Sequence, residues 1–312
     1  MRRAAAAGLI AALILVVLPA CSGPGTPVAV SGAPSSSVVG GSTLSPGSSS
    51  SPGGSSPTPG STGPAPAGTG TTSSALPDVH LPGVNDPSCA SDERPVVLLP
   101  GTFSTVAGNF APLAPALQAD GRCVFGINYG SAGIGPVRDS ATTVARFVDD
   151  VLTVTGADQI DVVAFSQGGL VLRTALRLDG LAPQVGTAVM IAPSFHGTTS
   201  DLLDGVPAVA CPACADQTAG SELLTELDAG GDLDGQVRYA TISSRDDTVV
   251  TPVQAQSPVG PPDRVQSLIV QDACPETHLD HLQMPADPGV ITWVRRALLT
   301  DGRPGPSAYS CS

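Results

Sequence analysis

The sequence contains no lysine: its 14 basic residues are all arginine, and they stand against 27 acidic residues for a net charge of −13. A chain with this balance repels phosphate backbones, which argues against nucleic acid as a partner. Aromatic residues make up only 3% of the chain. The core must therefore be built from valine, leucine, isoleucine and alanine. The composition is typical of an acidic exported domain.

The N-terminus has the order of an export signal. Arg2 and Arg3 precede an apolar run over residues 4–20, which Cys21 follows. A basic start, an apolar stretch and a small residue before the cleavage position predict a signal peptide over residues 1–20. The segment LPACS at 18–22 resembles a bacterial lipobox, which implies that Cys21 is lipidated. The alternatives are a plain signal with an unmodified cysteine and an uncleaved anchor, for which the run is somewhat short.

Behind Cys21 the chain is dominated by Gly, Pro, Ser, Thr and Ala, with few charged or large apolar side chains. Such a segment buries too little surface to offset its chain entropy. We therefore predict that residues 21–85 are a lipidated N-terminus and a disordered tether, and that residues 86–312 are one catalytic domain. The expected location is the cell surface, with the chain either anchored to the membrane through Cys21 or secreted.

Six of the seven cysteines remain when Cys21 is set aside. An even number in an exported chain predicts three disulfides, and we pair Cys89–Cys123, Cys211–Cys214 and Cys274–Cys311. Zinc is the competing interpretation, because Cys211/Cys214 and His278/His281 each look like half of a site. The two histidines are too close together, and the two halves too far apart, for usual zinc spacing. We expect no metal and no organic cofactor.

Apolar runs alternate with helical patterns along the folded part. The predicted strands are 95–100, 123–128, 160–165, 185–191, 237–243 and 265–270, and the predicted helices are one capped by Asn109, 140–154, 167–178 and one from Pro288 through Leu298. Nearly continuous apolar strands that alternate with helices predict an α/β fold, with a mostly parallel sheet of about six strands covered on both faces. In such sheets, sites form at the carboxyl ends of the strands.

The most informative segment is DVVAFSQGGL at residues 161–170. It predicts a buried strand that ends in a nucleophile elbow, with Ser166 at the tip of a sharp strand-to-helix turn. Such a turn needs small residues two before and two after the serine, and Ala164 and Gly168 satisfy this. The alternative is an ordinary turn with a capping serine.

A serine nucleophile needs a base and an acid that orients the base, in the chain order Ser, Asp, His for this type of turn. Asp246 and Asp247 follow a predicted strand, and His278 and His281 precede the last helix. From these residues alone, either aspartate and either histidine could serve. The loop 100–104 after the first strand could supply a backbone N–H to an oxyanion, together with that of Gln167. His196 lies in the wrong chain order and is expected to shape a loop, and His80 lies in the predicted tether.

Together these motifs resemble the small bacterial class 2 lipases of the α/β-hydrolase superfamily and the fungal lipase B group. The resemblance is carried by VVLLPG at 96–101, FGINYG at 125–130, FSQGG at 165–169, DTVVTP at 247–252, and the spacing of Cys274-Pro275, His281 and Asp287-Pro288. It implies an α/β-hydrolase fold. The family motif selects Asp247 over Asp246, and the spacing selects His281 over His278.

The resemblance also implies that Thr102 and Gln167 form the oxyanion hole, with the Thr102 hydroxyl as an additional donor. One departure is Pro100, where many bacterial relatives carry histidine. The apolar segment 202–210 lies where relatives line the acyl-binding cleft, and simple core packing is the alternative.

We therefore predict an exported serine ester hydrolase, a lipase or carboxylesterase, that acts on acyl esters or lipids through Ser166, Asp247 and His281. The alternatives are an acyltransferase or polyester hydrolase with the same triad, and a non-catalytic surface lipoprotein that binds a ligand. No obligate protein partner is evident in the sequence.

Overall fold

The computed structural model describes residues 76–203 and 205–311. The predicted signal peptide, Cys21 and the greater part of the predicted tether lie outside the described residues. Within the described part of the chain, no helix combines the length and the apolar character that crossing a membrane would require.

In the described part of the chain, six parallel strands form a single sheet. They are β1 (Val96–Leu99), β2 (Val124–Gly126), β3 (Ile160–Phe165), β4 (Val185–Ile191), β5 (Arg238–Ser243) and β6 (Val265–Ile269), in the order β2-β1-β3-β4-β5-β6. Every residue of β1, β2, β3 and β4 is buried, as expected for a parallel sheet covered on both faces. The predicted strands are confirmed.

Helices cover both faces of the sheet. They are α1 (Val106–Phe110), α2 (Leu113–Ala119), α3 (Gly130–Gly133), α4 (Val137–Thr155), α5 (Gln167–Leu178), α6 (Pro212–Asp216), α7 (Glu222–Ala229), α8 (Val270–Ala273) and α9 (Pro288–Leu299). One apolar cluster joins the sheet to α4, α5 and α7, and a second joins it to α1, α2 and α9. Because adjacent strand residues point to opposite faces, Val97 and Val162 belong to the first cluster, and Val96 and Val163 to the second.

The predicted helix cap at Asn109 is wrong. Thr105 caps α1 by accepting a hydrogen bond from the Gly108 N–H, and α2 begins after Pro112. The Asn109 side chain instead accepts a hydrogen bond from the Gly101 N–H at 2.9 Å. Local sequence suggested a cap because the same short acceptor side chain serves either purpose. In the folded protein Asn109 holds the loop that follows β1.

Packing begins upstream of residue 86. Val79 is buried in the second apolar cluster. Asn85 donates hydrogen bonds to the carbonyls of Pro77 and Gly126 and accepts one from the Gly126 N–H. The segment 76–85, which the sequence analysis placed in the tether, therefore lies against the folded domain. His80 within it is exposed and contacts Asp78.

Three disulfides join the cysteines in the pairs expected from the sequence, namely Cys89–Cys123, Cys211–Cys214 and Cys274–Cys311. Because their sulfurs are bonded to each other, Cys211 and Cys214 cannot bind zinc as thiolates, which excludes the competing interpretation. The Cys274–Cys311 bridge ties the C-terminal segment to the loop that carries His281.

Buried Tyr239 predicts a loss of stability at alkaline pH. Burial raises the pKa of Tyr239 to about 12, so the folded chain keeps this phenol neutral while the unfolded chain ionises near its ordinary value. The contribution of Tyr239 to the free energy of unfolding is thus complete below about pH 10 and is lost as the pH rises towards 12. We expect the destabilisation caused by Tyr239→Phe, measured by urea unfolding, to be about 1.4 kcal/mol smaller at pH 11 than at pH 8. An unchanged difference would contradict this.

Candidate active site

Ser166 occupies the sharp turn between β3 and α5, with φ 55° and ψ −122°. The turn brings the start of α5 against the end of β1. A Cβ atom on Gly168 would lie 2.4 Å from the Leu99 carbonyl oxygen, and one on Gly169 would lie 2.4 Å from the Pro193 side chain. The small residue that the elbow prediction required at position 168 is therefore a steric necessity.

The backbone of Ser166 is strained, because a residue with a side chain rarely adopts positive φ. We expect Ser166→Gly to be more stable than Ser166→Ala by about 1 kcal/mol, since glycine relieves strain at this site. At an unstrained buried position glycine is instead the less stable of the two. Both variants lack the hydroxyl, so their difference in the free energy of unfolding isolates the backbone. A more stable alanine variant would show that the turn carries no strain.

His281 connects the serine to an aspartate. Its Nε2 lies 2.9 Å from the Ser166 Oγ, and its Nδ1 lies 2.7 Å from the Asp247 Oδ2. The ring packs against Phe165, with 4.9 Å between the ring centroids. Ser166, Asp247 and His281 are only 6%, 6% and 3% exposed. A hydrogen-bonded chain in this order lets the histidine accept the serine proton while the carboxylate orients the ring.

Asp247 is held on both of its oxygens. Oδ1 accepts hydrogen bonds from the N–H groups of Val249 and Val250, at 2.8 and 2.9 Å. Oδ2 accepts a bond from the Gln256 side chain at 2.9 Å, in addition to the His281 contact. Gln256 is completely buried. These donors fix the plane of the carboxylate.

The other two candidates pair with each other. His278 Nδ1 lies 2.9 Å from Asp246 Oδ2, and the His278 side chain is 87% exposed. The structure thus separates the four candidates into a buried pair that reaches Ser166 and a surface pair that does not. That Asp247 and His281 act as the acid and the base stays a prediction.

Thr102 and Gln167, the predicted oxyanion donors, both lie against Gly133: a Cβ atom there would be 3.1 Å from the Thr102 Cα and 2.7 Å from the Gln167 Oε1. Thr102 is in the loop after β1, where Tyr129 donates a hydrogen bond to the Pro100 carbonyl. Gln167 is the first residue of α5, so its N–H has no partner within the helix and lies at the positive end of the helix dipole. The Gln167 side chain donates to the Gly133 carbonyl at 2.8 Å. Tyr129 directly precedes α3 and Gly133 ends it, so one short segment contacts both the loop after β1 and the start of α5.

Two glutamines in the site were missed by sequence reasoning. Gln256 contacts Asp247, and Gln217 donates a hydrogen bond to the Thr102 hydroxyl at 3.0 Å. Neither belongs to a motif with a mechanistic signature, and a glutamine has no local feature that reveals what it will touch. Only the fold brings them to the site.

His196 lies in an ionic cluster away from the triad. Its Nδ1 and Nε2 are each 3.2 Å from a carboxylate oxygen, of Asp228 and Asp232 respectively. Buried Arg173 also contacts both carboxylates, at 2.9 and 3.4 Å. The permanent charge of the guanidinium offsets one of the two carboxylate charges and competes with a metal ion for both carboxylates. The cluster anchors the loop after β4, and the expected role of His196 in shaping that loop fits this position.

Exposed apolar residues directly follow two of the predicted site residues in the chain. Phe103, which follows Thr102, is 53% exposed, and Leu282, which follows His281, is 73% exposed. In the segment 202–210, Val209 is 91% exposed, whereas Val206 packs against the first apolar cluster. The segment thus has both an exposed and a packed part. Whether it lines an acyl-binding cleft stays a prediction.

Comparison with known proteins gives the family. Residues 93–293 match the family model described as lipase (class 2). Lipase B of Pseudozyma antarctica is 28% identical over 185 residues, which cover 55% of this chain and 51% of that protein. The crystal structure of Aspergillus fumigatus lipase B has a TM-score of 0.62 at 24% identity and is matched over 69% of this chain and 54% of its own.

The present chain thus spans about half the length of these two proteins. The structural similarity supports the α/β-hydrolase fold that the parallel sheet and its helices already indicated. The family model covers well over half of the sequence, including Thr102, Ser166, Asp247 and His281. The chain therefore belongs to the class 2 lipase family.

Proposed function

We propose that the protein is an exported serine ester hydrolase that acts on acyl esters of lipids. Ser166 attacks the ester carbonyl carbon while His281 takes the hydroxyl proton at Nε2. The tetrahedral intermediate then releases the alcohol, which receives its proton from His281. Water, activated by the same histidine, cleaves the acyl–serine ester and regenerates Ser166. Asp247 orients His281 and stabilises its protonated form.

The observation that carries this proposal is the continuous hydrogen-bonded chain from Ser166 through His281 to Asp247. All three residues are more than 90% buried. Preorganised groups need little rearrangement when charge develops. A protein that used this fold only for binding would have no need for a serine oxygen at hydrogen-bond distance from a carboxylate-oriented histidine.

The negative charge of the tetrahedral intermediate lies on the former carbonyl oxygen and requires hydrogen-bond donors that point at this oxygen. The N–H groups of Thr102 and Gln167 are proposed to supply two of them. Among the residues that the structure describes, none accepts a hydrogen bond from the Thr102 N–H. It is thus available for the oxyanion.

A lipid substrate is favoured over a small polar ester by the surface beside the site. Phe103 follows Thr102 in the chain and Leu282 follows His281, and both expose large apolar side chains to solvent. Exposed apolar side chains at a site commonly contact apolar ligands. We propose that they contact the acyl chain or the lipid around it.

Export and anchoring form part of the proposal. The three disulfides favour an oxidising compartment such as the cell exterior. A signal peptide over residues 1–20, a lipid on Cys21 and a tether ahead of the catalytic domain would hold the enzyme at the membrane surface. Mass spectrometry of the N-terminal peptide from cells that export the chain tests this: a diacylglyceryl group on Cys21 would support it, and an unmodified peptide would refute it.

The test of the activity is hydrolysis of p-nitrophenyl esters from two to sixteen carbons by the full chain, beside a Ser166→Ala control. Turnover that requires Ser166 would support ester hydrolysis, and a preference for long chains would support a lipase rather than a carboxylesterase. A fluorophosphonate probe should label Ser166 in the same samples. A folded chain that neither turns over an ester nor reacts with the probe would refute the enzyme and support a binding module.

Acyl transfer and polyester cleavage would use the same triad and differ in the group that accepts or carries the acyl chain. Adding an alcohol to the ester assay separates transfer from hydrolysis, since an acyltransferase would form the new ester in preference to the free acid. Release of soluble fragments from a polyester film would identify the third activity. We expect hydrolysis of the small ester to be faster than acyl transfer to the added alcohol and faster than polyester cleavage.

A further inference from the structure

The hydroxyl of Thr102 has a partner that no active-site motif contains. Gln217 follows α6, is 4% exposed, and places its Nε2 3.0 Å from the Thr102 Oγ1. The two residues are 115 positions apart in the chain, so the contact exists only in the folded protein. It lies on the loop that is proposed to carry the first oxyanion donor.

The neighbours of Gln217 determine which way its amide points. Nε2 also donates to the Ala213 carbonyl at 3.1 Å, and Oε1 accepts a hydrogen bond from the buried Ser194 hydroxyl at 3.0 Å. A rotated amide would place Oε1 against the Ala213 carbonyl oxygen, with two acceptors facing each other. The NH2 group is therefore on the Thr102 side, with its two hydrogens directed to Ala213 and Thr102.

The backbone of Gln217 is held as firmly as its side chain. Its N–H donates to the Ala213 carbonyl at 3.0 Å, and its own carbonyl accepts from the Thr198 N–H at 2.8 Å. The Cys211–Cys214 disulfide closes the first turn of α6 just ahead of it. Gln217 is thus a fixed donor.

Gln217 is the donor in this hydrogen bond and the Thr102 hydroxyl is the acceptor, so the O–H of Thr102 is not used in the contact. The Thr102 O–H is therefore free to donate elsewhere, and its backbone belongs to the proposed oxyanion hole. We propose that Gln217 is a positioning residue that makes the Thr102 hydroxyl a hydrogen-bond donor to the oxyanion. This inference rests on the proposed ester hydrolysis. It adds a residue that acts through Thr102 and does not itself contact the substrate.

The proposal predicts that two substitutions at position 217 differ in a defined order. In Gln217→Glu a carboxylate oxygen faces Thr102 and accepts a hydrogen bond from its O–H, which removes that donor from the oxyanion. In Gln217→Met the hydroxyl is left free to rotate, and part of its donation survives. Loss of one oxyanion donor lowers kcat by about 10²–10³-fold where it is a principal donor. For this accessory hydroxyl we expect a loss of about 10–100-fold in Gln217→Glu and a smaller loss in Gln217→Met, with KM nearly unchanged in both.

A double-mutant cycle with Thr102→Val tests the mechanism. Thr102→Val keeps the backbone N–H and removes the hydroxyl, so Gln217→Met should cause no further loss of kcat in that background. Thr102→Ser keeps a hydroxyl and should remain sensitive to Gln217→Met, which provides a second cycle if the valine variant does not fold. Gln118→Met is the matched control, because Gln118 donates to the Pro82 carbonyl away from the site. It should leave kcat unchanged.

The outcomes separate this inference from the function on which it rests. If Gln217→Met lowers kcat equally with and without the Thr102 hydroxyl, Gln217 has only a structural role and the inference is wrong. Equal activities of Gln217→Glu and wild type would also overturn it. A wild-type chain without Ser166-dependent turnover would overturn the proposed function, and the inference with it.

Discussion

His281→Ala is expected to lower kcat for ester hydrolysis by about 10⁵–10⁶-fold, whereas His278→Ala should leave it within about twofold. His281 is the only one of the two whose ring reaches Ser166, at 2.9 Å, and without it no group takes the serine proton. His278 has the same chemistry three positions earlier but lies at the surface beside Asp246. The pair is therefore a matched comparison in which only position in the fold differs.

The measurement is the initial rate of p-nitrophenyl ester hydrolysis at saturating substrate, with thermal unfolding to show that both variants fold. The rate of fluorophosphonate labelling at Ser166 provides a second readout that does not depend on turnover, and it should fall only in His281→Ala. A large loss in His278→Ala with an active His281→Ala would reverse the assignment of the base.

Asp247→Asn should lower kcat by about 10⁴-fold because it leaves His281 in the wrong tautomer. The N–H groups of Val249 and Val250 hold one oxygen of Asp247, so an asparagine would place its carbonyl oxygen there and its NH2 group towards His281. His281 would then accept at Nδ1 and carry its proton at Nε2, where it must instead accept from Ser166. The Gln256 side chain would also face a second donor, which should lower stability by about 1–3 kcal/mol.

Asp246→Asn is the control for this prediction. Asp246 contacts exposed His278, and its loss should change neither kcat nor the free energy of unfolding beyond about 0.5 kcal/mol. The measurements are kcat for ester hydrolysis and the free energy of unfolding in urea, compared between Asp247→Asn and Asp246→Asn. If Asp247→Asn keeps wild-type kcat, Asp247 is not the acid of a triad.

Much of the architecture follows from local patterns. The strands could be located because parallel strands buried on both faces read as continuous apolar runs, as at 160–165 and 185–191. The serine turn could be located because close approach of strand and helix excludes a side chain at position 168, which restricts the sequence. The N-terminal boundary of the folded region is harder to predict from the sequence, because Val79 is an isolated apolar residue whose burial depends on distant partners.

Local patterns cannot distinguish between residues of the same type that lie a few positions apart. Asp246 and Asp247, like His278 and His281, carry the same groups within a few positions, and only the family motif separated them at the level of sequence. The structure separates them by burial and by direction, because adjacent residues in a loop point to different surroundings. Asn109 was misassigned for a related reason, since an acceptor side chain has the same local signature at a helix cap and beneath a distant loop.

The sequence by itself determined the order of the strands along the chain, the sharp serine turn and the residue types of the candidate triad. These depend on short-range sterics, apolar periodicity and motif spacing. The tertiary structure decided which aspartate and histidine meet Ser166, and brought Gln217 to Thr102 and Gln256 to Asp247. Those contacts join residues from separate segments, and a hydrogen bond is directional and short, so its existence depends on where the whole chain places both partners.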